Sequence, residues 1–307
     1  MFPEQGRPII TFTANLAAET TYYVDDWGPG QTSRATRERF QVGGKGINVS
    51  KMLKRLQAQT TAVCFPGGNF GDNCKSWLDE YEIPYKAFTR DCITRSGSII
   101  RAPGKEEISI LGLDCQVSQE AVEKCVEYLS SLEGPCIIAV CGVIPDWPSA
   151  HWQPLRDWIS SRESRFDLAI DTYGEGLRWL AKRSPNLIKI NRDELITLLD
   201  EDVSMIDTAS LLERVAKVYD SGTWIVTDGS SSVFCRSPQG NVYSFQPRRT
   251  HCLSPIGCGD VFLATYLHSI YNKGLNRESA VALATEYASR NAESEGIADF
   301  SLEVEPN

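Results

Sequence analysis

The chain has 307 residues, 42% of them hydrophobic and 23% charged, which is enough to enclose one large core and too evenly mixed for a disordered or membrane-spanning protein. A net charge of −9 excludes a general nucleic-acid binder, since phosphate-backbone affinity needs a concentrated basic face; any phosphate must be held locally. Ten cysteines without a CxxC pair read as buried thiols, three histidines without HExxH spacing exclude a histidine-built metal site, and the opening residues carry no secretory pattern, so a cytoplasmic protein is expected.

Residues 9–13 are expected as a first buried strand. The segments 20–27 and 34–42 alternate as two further strands joined at Gly28-Pro29-Gly30. After Gly46, the spacing of Val49, Met52, Leu53 and Leu56 predicts an amphipathic helix. Residues 61–65 follow as a second core strand, and 97–111 read as a hairpin turning at Pro103-Gly104-Lys105. With 20–27 and 34–42 this hairpin would make a small separate sheet.

From residue 118 the pattern becomes regular: helix 118–132, strand 136–141, helix 149–161, strands 167–171 and 187–190, helices 192–200 and 207–220, and strand 223–228. Helices alternating with short apolar strands predict a parallel sheet covered on both faces. A hairpin over 232–246 and helices at 259–272 and 277–293 close the chain. The expected organisation is one α/β domain over 1–307 with a small β appendage.

Three motifs carry chemistry. Gly43-Gly44-Lys45-Gly46-Ile47-Asn48 stands between a strand and a helix, where glycines let backbone N–H groups approach a ligand and Lys45 can neutralise an anion; it also reads as an ordinary glycine-rich turn. In Gly257-Cys258-Gly259-Asp260, two glycines at a helix start form a nest of N–H donors with an acid beside it. Asp260 is then either a general base beside an anion hole or a helix-start acid facing the dipole. Asn191-Arg192-Asp193-Glu194 places Asn191 and Glu194 on one helical turn at a strand end, as ligand contacts or as a capping box. The GxGxxG of a dinucleotide-binding dehydrogenase does not follow the first strand.

Taken together and in this order, GGKGIN, NRDE and GCGD resemble the signatures of the PfkB/ribokinase family of sugar kinases over nearly the whole chain. The Gly-Pro-Gly turn, Thr94-Arg95, Asp171-Thr172-Tyr173-Gly174-Glu175 and Ser254-Pro255-Ile256-Gly257 look most like its 1-phosphofructokinase and tagatose-6-phosphate kinase branch. The resemblance implies a ribokinase-like three-layer α/β/α fold with a mostly parallel central sheet and a β-sheet lid from about 20–42 and 97–113. It implies ATP and Mg2+ as cofactors, a sugar phosphate as substrate, and a homodimer formed through the lid.

Carried onto this sequence, the resemblance makes Asp260 the catalytic base and Gly257, Cys258 and Gly259 the anion hole. Lys189, Asn191, Glu194, Thr227 and Gly229 become nucleotide contacts, with Glu194 reaching Mg2+ through water. Gly43, Gly44, Lys45 and Asn48 become sugar contacts, and Arg95 the grip on the phosphate already present. The chain departs from the branch where Glu19 replaces a sugar-binding aspartate and where Cys141-Gly142-Val143 replaces Ser-Gly-Ser. Those departures leave open an unphosphorylated sugar or nucleoside as substrate, or a ligand-binding regulator derived from a kinase.

Overall fold

A computed structural model describes residues 6–161, 166–199, 203 and 205–302. In chain order the elements are β1 (Ile9–Thr13), β2 (Ala17–Val24), β3 (Ala35–Gly43), α1 (Lys45–Arg55), β4 (Thr60–Cys64), α2 (Gly68–Glu80), β5 (Tyr85–Ala87), β6 (Arg95–Arg101) and β7 (Ile108–Leu111). There follow α3 (Gln119–Ser131), β8 (Cys136–Cys141), α4 (Gln153–Ser160), β9 (Phe166–Asp171), α5 (Gly174–Ala181), β10 (Leu187–Asn191), α6 (Arg192–Ile196) and α7 (Thr208–Val218). The last elements are β11 (Thr223–Asp228), β12 (Ser232–Arg236), β13 (Val242–Phe245), α8 (Cys258–Tyr271) and α9 (Arg277–Ala292).

Nine strands form the central sheet in the order β13-β12-β11-β10-β9-β8-β1-β4-β5, parallel except for β12 and β13. Side chains alternate between its faces. Ile10, Phe12, Ile138, Ile188 and Trp224 pack with α3, α4, α5 and α7; Ile9, Ile137, Ala139 and Ile225 pack with α1, α8 and α9. Two helical layers therefore cover the sheet, as its continuous apolar strands require. Of the two threonines in β1, Thr11 is satisfied internally, its Oγ1 lying 2.8 Å from Ser50 Oγ.

The strand order reverses at β1, whose neighbours are β4 on one side and β8 on the other. In an open α/β sheet such a reversal opens a crevice at the carboxyl ends of the strands. The ends of β1, β8, β9, β10 and β11 all lie on that edge.

A second sheet, in the order β3-β2-β6-β7, stands over it. β2 pairs antiparallel with β3 and parallel with β6, so the two early segments form one four-stranded sheet. Leu16, Ala18 and Val42 at its base pack against Cys74, Trp77 and Leu78 of α2.

Several boundaries differ from the sequence reading. β2 begins at Ala17 rather than at 20, and α2, β5 and α5 lie where no element is expected. The helix expected over 192–200 ends at Ile196, with residue 200 outside the described residues. The helix expected over 149–161 is a tight 3-10 turn at Ala150–Trp152 that leads into α4, with Pro154 in the first turn. Eight cysteines are buried as expected, but Cys252 is exposed and Cys258 only half-buried, because both belong to the loop and helix start at the open sheet edge.

Candidate active site

The site grows from strand ends and helix starts at that edge. β3 ends at Gly43, and Gly44, at φ 127°, turns the chain into α1. A Cβ on Gly44 would come 2.7 Å from Thr13 Cγ2, and one on Gly46 2.3 Å from Thr13 Oγ1. The glycines thus let the start of α1 lie directly on the end of β1. The cleft so formed is lined by Thr13, Asn15, Gly44, Lys45, Arg95, Cys141, Gly142, Val143 and Tyr173. Thr13 Oγ1 is buried there with no hydrogen-bond partner.

Lys45 reaches across the cleft to Asp171 at the end of β9, placing Nζ 2.7 Å from Oδ1 and 3.4 Å from Glu194 Oε1. Lys189 reaches the other Asp171 oxygen at 2.7 Å. Asp171 is wholly buried. Burial alone would raise its carboxyl, but Lys189 and Lys45 outweigh it and hold the group below its ordinary value. Lys45 is desolvated too, yet Asp171, Glu194 and Asp260 together raise its affinity for a proton, so it stays charged.

Asp260 sits on the first turn of α8, whose entry residue Gly257 adopts the left-handed conformation at φ 77°. Asn48 Nδ2 donates to its Oδ2 at 2.7 Å. Its carboxyl is pushed up to about 6, first by burial and then by the nearby charge of Asp171, against the opposing pull of Lys45, Asn48 and Lys189. At Gly259 the Lys189 ammonium lies where a side chain would stand, 2.6 Å from an added Cβ, so the glycine lets Lys189 come close to the first turn of α8. The first N–H groups of α8 thus sit beside an ammonium and a basic carboxylate, an arrangement able to hold a phosphoryl group and take up a hydroxyl proton.

Asn191 and Glu194 form a complete capping box at the start of α6: Glu194 N–H donates to Asn191 Oδ1 at 2.8 Å, and Asn191 N–H to Glu194 Oε2 at 2.9 Å. The capping-box reading of this motif is the one the geometry shows, and capping leaves Glu194 Oε1 turned toward Lys45. Thr227 pairs in register with Asn191 across β10 and β11, and Gly229, at φ 54°, follows on the loop. These two and Lys189 lie on the β10–β11 side of the edge, whereas Gly44, Lys45 and Arg95 lie on the β1–β8 side.

Three expected sugar contacts, Glu19, Gly43 and Asn48, are not among the residues lining the cleft. Glu19, on β2, accepts from Gln41 at 3.2 Å and packs against Gly43 and Gly97. Asn48 spends its amide on Asp260. Arg95 does line the cleft and meets Asp114 at 3.4 Å. Asp171, Thr13, Asn15 and Tyr173 stand at the site without being among the residues that the motifs singled out for it. For Asp171 the available signal was an acid at the end of a buried strand facing a parallel-sheet edge.

Among the described residues no cluster of three or more His, Cys, Asp or Glu could cage a metal, and no helix is long and apolar enough to cross a membrane. Of the acids present, Asp171 and Glu194 are already engaged by lysines and Asp260 by Asn48. Such a donor set fits Mg2+ carried on nucleotide phosphates with retained waters rather than an ion in an all-protein cage.

The sequence matches the family model of the pfkB family carbohydrate kinases over residues 14–304. It is 25% identical to the 1-phosphofructokinase of Bacillus subtilis (strain 168), covering 97% of each chain, and 25% identical to the D-tagatose-1-phosphate kinase of Klebsiella oxytoca, covering 94% of each. Its fold matches that of phosphofructokinase-2 from Escherichia coli in complex with fructose-6-phosphate, with a TM-score of 0.84 over 94% of each chain at 18% identity. It also matches ribokinase from Thermotoga maritima, with a TM-score of 0.73 over 95% of each at 15% identity. The chain belongs to the pfkB family of carbohydrate kinases and has the ribokinase-like three-layer fold.

Proposed function

We propose that this kinase transfers the γ-phosphoryl group of ATP to a hydroxyl of a phosphorylated ketohexose, with Asp260 as general base. The observation that carries the reading is the pairing of a buried carboxylate, raised to about 6, with the first turn of α8 and the ammonium of Lys189. A carboxylate of that basicity accepts a proton near neutral pH far better than an ordinary one.

In the proposed step the substrate oxygen attacks the γ-phosphorus, its proton passes to Asp260, and the bond to the β-phosphate oxygen breaks to release ADP. Asn48 orients Asp260 through its 2.7 Å bond. Lys189 and the α8 N–H groups receive charge that builds on the transferring group. Asp171 holds Lys45 and Lys189 in place, so the charges need little reorganisation. Mg2+ bound with the nucleotide would neutralise phosphate charge, and Glu194 would be the acid to meet it through water.

Arg95, most of its side chain buried in the cleft, supports a substrate that already bears a phosphate, and the relatives' activities point to ketohexose phosphates. The test is ADP release measured with fructose 1-phosphate, fructose 6-phosphate, tagatose 1-phosphate, tagatose 6-phosphate, fructose and ribose. Turnover is expected with at least one of the phosphates, and Asp260→Asn should lower kcat by about 100-fold or more. Near-normal turnover by that variant would remove Asp260 from the mechanism.

A further inference from the structure

One acid that the proposed phosphoryl transfer does not use stands against two walls of the cleft. Asp114 lies just beyond β7, and its Oδ1 accepts from Asn15 Nδ2 at 2.7 Å and lies 3.4 Å from Arg95 Nη1. Asn15 is fixed from its other side, where Oδ1 accepts the N–H of Cys115 at 3.0 Å. The amide N–H that meets Asp114 is therefore pre-aimed.

Arg95 and Asp114 are unequally committed to one another. The arginine side chain is 14% exposed and the aspartate 57%. Arg95 Nε is buried and has no hydrogen-bond partner. A settled arginine–carboxylate pair is short and often bidentate. Here a buried guanidinium keeps an idle donor while a half-exposed carboxylate touches it through one long contact. Asp114 thus touches Arg95 and Asn15, both of which line the cleft.

We propose that Asp114 is a specificity-determining residue: its carboxylate occupies Arg95 and Asn15 in place of the substrate's own phosphate and is displaced when a phosphorylated substrate binds. This rests on the reading that the substrate bears a phosphate. A phosphate dianion carries more charge than Asp114 and three oxygens with which to engage Nε and Nη together, so it wins the exchange. A neutral sugar brings no charge to compete, and Asp114 then keeps the donors closed to it. The acid acts as an internal competitor that favours phosphorylated over unphosphorylated sugars.

The experiment uses Asp114→Asn and Asp114→Ser alongside Arg95→Ala, with KM and kcat for fructose 1-phosphate, fructose 6-phosphate and both tagatose phosphates. Calorimetric Kd values for inorganic phosphate provide a readout independent of turnover. Both Asp114 variants should lower KM for the accepted sugar phosphate and Kd for phosphate by about 1.5-fold to fivefold, the range that one partly exposed charge contact spans. The change should fall on KM and Kd rather than on kcat, which a merely structural role would not separate. Unchanged or raised KM in both Asp114 variants, with Arg95→Ala still raising KM tenfold or more, would overturn the role of Asp114 alone. If Arg95→Ala leaves KM for every sugar phosphate unchanged, the phosphate reading falls and the competitor role falls with it.

Discussion

Two carboxylates buried in one site cannot both carry a charge at equal cost, and Asp171 and Asp260 divide the burden unequally. Asp171 has two ammonium partners at 2.7 Å and stays ionised; Asp260 has one amide and is left basic. That inequality has a stability consequence. With a native value near 6 against 3.8 for an ordinary aspartate, the folded chain retains a proton that the unfolded chain has released between those pH values. Stability must then fall as pH rises through that window, because the unfolded state binds fewer protons. Asp260→Asn should raise the melting temperature at pH 8, with the gain shrinking toward pH 4, while wild-type kcat/KM loses activity below about pH 6. Melting curves across pH decide it: a variant less stable than wild type at pH 8 would contradict the assignment. The sequence displayed Asp260 because glycines surround it. Asp171 was hidden in the pattern because its partners, Lys45 and Lys189, meet it only once β9, β10 and α1 are assembled.

At the scale of elements, what was legible follows from local chemistry. The strands of the central sheet stand out as short apolar runs, and α1, α3, α8 and α9 as apolar periodic segments. α2 was missed because it starts Gly68-Asn69-Phe70-Gly71, with poor helix formers in its first turn and a positive φ at Gly68. α5 likewise starts Gly174-Glu175-Gly176 and is held by burial of Leu177, Leu180 and Ala181 rather than by propensity. The parallel β2–β6 pairing was beyond reach, since nothing local links segments that lie so far apart in sequence. In that sheet Glu19 lies opposite both Gln41 and Gly97. A Cβ on Gly43 would sit 2.2 Å from Glu19 Cδ, and one on Gly97 2.9 Å from its Cγ. Gly43→Ala should therefore expel the carboxylate and cost about 1–3 kcal/mol, the usual range for overpacking. Adding Glu19→Ala to Gly43→Ala should restore much of the loss, and equal destabilisation in single and double variants would refute the steric account.

Across the whole molecule, one stretch near the C-terminus links the second sheet to the reaction centre. Ile297 packs on Gly257, where an added Cβ would come within 2.6 Å, so the stretch supports the entry to α8. Lys51 Nζ donates to Ile297 O at 2.7 Å and pairs with Asp299 at 2.8 Å. From the sheet, Arg39 pairs with Asp299 at 2.5 Å, Arg37 with Glu295 at 2.8 Å, and Arg101 donates to Glu295 O at 2.8 Å. If the second sheet serves as the lid, these contacts are its latch, and the segment they grip is the one that packs on the entry to α8. The Arg39–Asp299 pair is about one-third exposed on each side, so its loss should cost only about 0.2–1 kcal/mol. That is enough to change how often the sheet lifts without unfolding it. Arg39→Ala should accordingly raise sugar-independent ATP hydrolysis about twofold to fivefold, since an open lid admits water to the transferring phosphoryl group. Hydrogen exchange in β2 and β3 should quicken in parallel, while α8 stays protected. Unchanged exchange, with one ADP still formed for each sugar phosphorylated, would show that the sheet is a fixed wall, and water would then have to be excluded by the substrate's own fit against Lys45, Thr13 and Val143.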